Sequence, residues 1–132
     1  MFHKISIVNL FVQDFDRCLT FYRDALSLEV LRLEPTFVAF RMDDHELHLR
    51  QISEGADVLG VDMEAFEPQT GKLDRVLLCS QVENVDIVYE SLHAKGVEFT
   101  KSPVDQPWGR RAAYFRDPEG NIWEIHHPLA TQ

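Results

Sequence analysis

The apolar and polar positions of the chain follow two alternating periods. KISIVNLFV (4–12) is β-branched and aromatic along its length and is bounded by Asp14, so it reads as a strand that is mostly apolar on both faces. Asp14 can cap a helix. Through DFDRCLTFYRDAL (14–26), Phe15, Leu19, Tyr22 and Leu26, joined by Cys18 and Ala25, recur at helical spacing. Three short strands are then expected, LEVLRL (28–33), TFVAFRM (36–42) and HELHLRQ (45–51), with Asp43-Asp44 as the last hairpin signal. The same order begins again with DRVLLCSQ (74–81). A helix capped by Asn84 runs through VDIVYESLHAK and stops at Gly96, and the strands VEFTKS, RRAAYFR and NIWEIHH come after it.

Each half therefore reads strand, helix, strand, strand, strand, an α+β pattern in two βαβββ modules, 1–52 and 73–128. Modules of this size bury too little surface to stand comfortably alone, so 1–132 is expected to be a single domain. Between them, SEGADVLGVDMEAFEPQTGK (53–72) carries Gly, Pro and acidic residues and is expected to be a linker, long enough to cover a pocket. Alternation in HELHLRQ sets Leu47 and Leu49 on one strand face and Glu46, His48 and Arg50 on the other. In NIWEIHH, Trp123 and Ile125 oppose Ile122, Glu124 and His126, which brings His48 and Glu124 into equivalent positions of the two repeats.

Composition narrows the function classes. Hydrophobic residues make up 45%, enough for a packed core, and the formal net charge of -9 argues against nucleic acid, which needs clustered Lys and Arg. No apolar run is long enough for a membrane span and the start does not resemble a cleavable signal, so a cytoplasmic protein is expected. Cys18 and Cys79 lie far apart without a CxxC pattern and are expected to be reduced.

LFVQDFDRCLTFYRDALSLEVL, VENVDIVYESLHAKGVEF and PWGRRAAYFRDPEGNIWEI, in that order, resemble the vicinal oxygen chelate superfamily of glyoxalases, bleomycin-resistance proteins, fosfomycin-resistance enzymes and extradiol dioxygenases. The resemblance implies two βαβββ modules whose mixed sheets curl around a cup, and a homodimer, as in many relatives. In metal-dependent relatives the first and last strand of each half supply the ligands. Carried over by position, the last-strand residues are His48 and Glu124, and the first-strand residues are Ile7 and Leu77, which cannot bind a metal. Zinc and iron sites need three or more protein donors, so no cofactor is expected. The alternative is a divalent Zn, Ni, Mn or Fe site completed by Glu46 or His126, each about 7 Å along the same strand face.

Without a metal, His48 and Glu124 remain candidates for an acid–base pair. Strand parity adds Ile7, Asn9, Phe37, Leu77 and Cys79 to the same faces, an apolar wall of the kind that holds a small molecule. Arg50, Arg75 and Arg111 could clamp an anionic group, and Trp108 in QPWGRR could border the pocket. DPEGN (117–121) is expected to be purely structural, and His127 an exposed strand-end residue. The expected function is small-molecule binding in the cup. A metal-dependent lyase or isomerase acting on a small carbonyl compound is the alternative, with a dioxygenase behind it.

Overall fold

A computed structural model describes residues 1–66 and 75–130, and the chain divides into two compact units, Met1–Lys72 and Leu73–Gln132. Residues 67–74, which include the end of the expected linker, lie outside the described residues. In the first unit the strands are β1 (Ile7–Val12), β2 (Val30–Glu34), β3 (Phe37–Met42) and β4 (His45–Gln51), hydrogen-bonded in the order β1-β4-β3-β2. Strands β1 and β4 run parallel and the other pairs antiparallel. The antiparallel pairs are consistent with short turns, whereas the parallel pair needs a long crossover, which includes the helix α1 (Phe15–Thr20).

Asp14 caps α1, its carboxylate accepting from the Arg17 N–H at 3.1 Å. The helix continues as a widened π turn, Phe21–Ala25. Its buried residues Phe15, Cys18 and Tyr22 belong to the same core as Val12, Val38, Phe40, Leu47 and Leu49, and the Tyr22 and Phe40 rings meet at 6.1 Å. Each large side chain withdrawn from water there stabilises the unit by roughly 1.5–3 kcal/mol. The expected linker is partly helical: α2 (Ile52–Leu59) comes directly after β4, and a 3-10 turn (Met63–Phe66) follows α2. Glu54 suits the helix N-terminus. Gly60, at φ 69°, ends α2 in a conformation that favours glycine.

The second unit repeats the scheme with β5 (Leu77–Gln81), α3 (Val85–Ala94), β6 (Phe99–Gln106), β7 (Arg110–Arg116) and β8 (Ile122–Pro128), ordered β5-β8-β7-β6. Again the first and last strands are parallel. Strand β6 runs to Gln106, past the expected stop near residue 102, because Pro103 falls in a register shift between Lys101 and Val104 where the ladder is already interrupted. Val85, Leu92, Val97, Ala113, Phe115, Trp123 and Ile125 are buried.

The turn from β7 to β8 is held by one buried carboxylate. Asp117 Oδ1 accepts from the N–H groups of Glu119 and Asn121 at 2.9 and 2.8 Å, and Oδ2 accepts from the Asn121 amide at 2.9 Å. Gly120, at φ 91°, supplies the left-handed step. This turn sets the register that pairs Arg116 with Ile122 and hence Tyr114 with Glu124.

Candidate functional sites on the two sheets

In each sheet one face is mainly apolar and carries the buried core residues, and the alternate positions present a mixture of polar and apolar side chains on the opposite face. On the first sheet, pairing places Ile7 beside Glu46, Asn9 beside His48, and Phe37 beside Arg50. His48 Nε2 lies 2.9 Å from Glu46 Oε1. A carboxylate only accepts, so that nitrogen carries the proton. The His48 ring also stands edge-on to Phe37, with centroids 5.1 Å apart. Arg50 lies over the Phe37 ring, its guanidinium carbon 4.5 Å from the centroid, and donates from Nη1 to Glu54 at 2.9 Å. The Thr36 hydroxyl bonds the same carboxylate, and Thr36 first and Arg50 second hold Glu54 below the ordinary carboxylate range. Among the described residues, two buried polar atoms of this sheet, Asn9 Oδ1 and Arg50 Nε, have no hydrogen-bond partner.

On the second sheet, Cys79 pairs with Glu124, which pairs with Tyr114. The Tyr114 hydroxyl donates to Glu124 Oε1 at 2.6 Å and accepts from Gln106 Nε2 at 3.2 Å. Such a short bond is typical of a hydroxyl on an ionised carboxylate. Burial, then the Glu124 bond, raises the Tyr114 pKa above its ordinary value. The Cys79 thiol is pushed up to about 11, first by burial and then by the Glu124 charge. One strand repeat further along, Arg110 Nη1 donates to His126 Nδ1 at 2.8 Å and to Gln81 Oε1 at 3.3 Å.

His48 and Glu124 thus occupy corresponding positions of two sheets, each with a partner from its own sheet. Asn9, Phe37 and Arg50 gather round His48, while Cys79 joins Glu124. Arg111 requires a correction. Parity turns it to the opposite face, where Nε and Nη2 grip Asp86 of α3 at 2.8 and 2.9 Å and Nη1 takes Asp105 at 2.8 Å. His127 is half-buried instead of exposed, and its Nδ1 accepts from the Val85 N–H at 2.9 Å, which caps α3 alongside Asn84. Arg75 is exposed ahead of β5, and Trp108 is 62% exposed on the turn before β7.

Sequence reasoning passed over Arg110, Gln81, Gln106 and Tyr114. The signal was present in RRAAYFR. A five-residue DPEGN turn pairs Tyr114 with Glu124, and alternation then sets Arg110, not Arg111, on the Glu124 face.

These side chains do not fit a complete metal site of the family type. At the first-strand positions stand Ile7 and Leu77, hydrocarbon beside Glu46 and Ile122. Glu46 is hydrogen-bonded to His48, and the Nδ1 lone pair of His126 is taken by Arg110. Among the described residues, no group of three or more His, Cys, Asp or Glu could hold a metal ion. No helix among them is long and apolar enough to cross a membrane.

Comparison with known proteins agrees with the topology. A model of the Glyoxalase/Bleomycin resistance protein/Dioxygenase superfamily matches residues 4–125. The chain is 33% identical over 129 residues to the uncharacterized protein YraH of Bacillus subtilis (strain 168), covering 96% of this chain and 99% of YraH. Among solved structures, a glyoxalase/bleomycin resistance protein/dioxygenase from Nocardioides is 27% identical with a TM-score of 0.83, covering 100% of this chain and 87% of that one. Lactoylglutathione lyase from Agrobacterium tumefaciens is 25% identical with a TM-score of 0.72, covering 93% of this chain and 92% of the lyase.

Proposed function

Because the chain belongs to the glyoxalase/bleomycin resistance protein/dioxygenase superfamily, we propose that it binds a small organic molecule through the polar faces of its sheets, without a complete metal site. The observation that carries this reading is the side chains at the first-strand positions. Ile7 and Leu77 offer only hydrocarbon where metal-dependent relatives are expected to supply donors, so His48 and Glu124 are left to bind organic groups. Tyr114 beside Glu124 supplies aromatic surface next to a few oriented polar groups, the usual composition of a small-molecule site, and the buried Phe37 ring backs His48 and Arg50 on the other sheet. The reading includes a homodimer in the cytoplasm.

Elemental analysis of protein purified without chelator tests the proposal. The expected content is well below one equivalent of any transition metal and the same in the His48→Ala variant. Retention of about one equivalent of Zn, Ni, Mn or Fe that disappears with His48 would overturn it in favour of a metal-dependent site.

A catalytic form of the same reading is favoured by the Tyr114–Glu124 bond. A carboxylate gripped at 2.6 Å by a hydroxyl is an acid–base couple able to take a proton from a bound molecule and return it. Lactoylglutathione lyase among the similar structures points to carbonyl compounds as the substrates to assay. Turnover of such a compound is expected to be lost in Glu124→Gln. Turnover unchanged in that variant would assign Glu124 to binding alone.

A further inference from the structure

Resting on the small-molecule reading above, we infer that Arg110, His126 and Gln81 form an anion subsite on the polar face of the second sheet, and that the ligand carries a carboxylate or phosphate group there. Of the strand arginines, Arg32, Arg41, Arg50 and Arg111 each face a carboxylate at 3.2 Å or less, namely Glu34, Glu29, Glu54, and Asp86 with Asp105, and Arg116 donates to the Gly120 carbonyl at 2.8 Å. Arg110 differs from those four. Among the described residues its partners are two neutral acceptors, Gln81 Oε1 at 3.3 Å and His126 Nδ1 at 2.8 Å. A chain with 22 acidic and 13 basic residues leaves this half-buried guanidinium without an ion-pair partner among the described residues.

The donors are also arranged for an anion. Both Arg110 bonds leave from Nη1, so the Nε and Nη2 edge, the fork that matches a carboxylate or phosphate with two parallel bonds, is not engaged by them. A guanidinium only donates, so His126 accepts at Nδ1 and carries its proton on Nε2, which makes the imidazole a second neutral donor. Gln81 accepts through Oε1 and retains its NH2 group. Side chains on β5, β7 and β8 thereby hold one another in place before any ligand arrives. Pre-arranged donors lose little freedom on binding.

The net charge of -9 does not defeat this. Repulsion from scattered surface carboxylates is screened over about 10 Å at ordinary ionic strength, whereas a bidentate contact acts at about 2.8 Å. Glu124 is the carboxylate on the same face, two residues along β8, and its Oε1 is occupied by Tyr114. Trp108, exposed two residues before Arg110, offers an indole for an aromatic ligand body.

Titration of the full chain with benzoate, with its neutral analogue benzamide, and with inorganic phosphate tests the subsite, read by backbone and arginine side-chain N–H resonances. Benzoate is expected to shift the Arg110 Nε–H and His126 signals and to bind at least about tenfold more tightly than benzamide. Arg110→Met, which keeps the aliphatic stem, is expected to lose that tenfold while its spectrum stays dispersed. Arg110→Gln serves the same purpose should the Met variant not fold. Phosphate binding with the same dependence on Arg110 supports the subsite and points to a phosphorylated ligand. Equal affinities for benzoate and benzamide, or benzoate binding indifferent to Arg110, would overturn it. A panel of neutral aromatic fragments separates the two readings. Fragments that shift the polar-face signals while both anions fail remove the anion subsite alone, and silence from every compound removes the small-molecule reading with it.

Discussion

Cys79 reports on Glu124. Its thiol is pushed up to about 11 by burial first and by the neighbouring carboxylate second, so at pH 8 almost all of it is the unreactive thiol. Replacing Glu124 with Gln removes the negative charge that opposes thiolate formation. The apparent pKa of Cys79 is therefore expected to fall towards 9 without reaching it, because the burial contribution remains, and alkylation by iodoacetamide at pH 8 is expected to speed up several-fold. Rates measured across pH 7–10 check this. An unchanged rate would mean that Glu124 exerts no charge on the thiol. At this scale much could be read in advance. Parity alone placed Asn9, Phe37 and His48 on one face and Cys79 and Glu124 on another. It erred where two arginines stand together, since adjacent residues on a strand point opposite ways and the choice between Arg110 and Arg111 hangs on one residue of register.

Arg111 acts between elements. By holding Asp86 at the start of α3 and Asp105 in β6, it ties the helix to the edge of its sheet. The Arg111 hydrogen bond is the main cause that holds the Asp86 carboxyl below its ordinary value of 3.8. A depressed folded pKa contributes stability in full above the unfolded value, and the contribution drains away as the pH falls below that value through the folded one. With the Asp86 side chain 52% exposed, solvent screening limits the contribution to well under about 1 kcal/mol. Asp86→Asn is accordingly expected to cost little at pH 7 and to reduce the loss of stability between pH 4 and pH 2, measured by urea midpoints at each pH. A pH profile parallel to that of the parent would show that the pair is not linked to folding. The helices themselves were legible from their caps, Asp14 and Asn84, and from apolar spacing. Helix α2 was not, because a short stretch with an internal Gly55 and acidic residues has the composition of a connection, and Glu54 meets Thr36 and Arg50 only in the folded unit.

For the molecule as a whole, the two sheet orders predict where the backbone is hardest to open. Strands β3 and β4 lie inside the first sheet and β7 and β8 inside the second, each paired on both sides, whereas β1, β2, β5 and β6 are edges. Amide hydrogen exchange is expected to be slowest in those four central strands of the described residues, by a factor of about ten or more over edge-strand amides that face no partner. Equal protection across all eight strands would imply that the edges are covered by further pairing. Repetition of the order β1-β4-β3-β2 as β5-β8-β7-β6 stems from the repeat in the amino-acid pattern, as does the expected two-module fold of the family.

Local order in this chain is carried by local chemistry: period-two and period-3.6 patterns, two side-chain caps and the DPEGN turn each act within a few residues, so elements, modules and family can be recognised from the string alone. Ile7 and Leu77 were equally plain, because a side chain without a donor atom cannot become a ligand in any conformation. Partner choice is another matter. Whether Arg110 meets a carboxylate or a histidine, whether Tyr114 reaches Glu124, and whether His127 is free or caps α3 depend on groups 10 to 42 residues apart in sequence that meet only when strand register and helix docking bring them within 3 Å. Hydrogen bonds of that range are a property of the folded arrangement, and the neutral surroundings of Arg110 became visible only there.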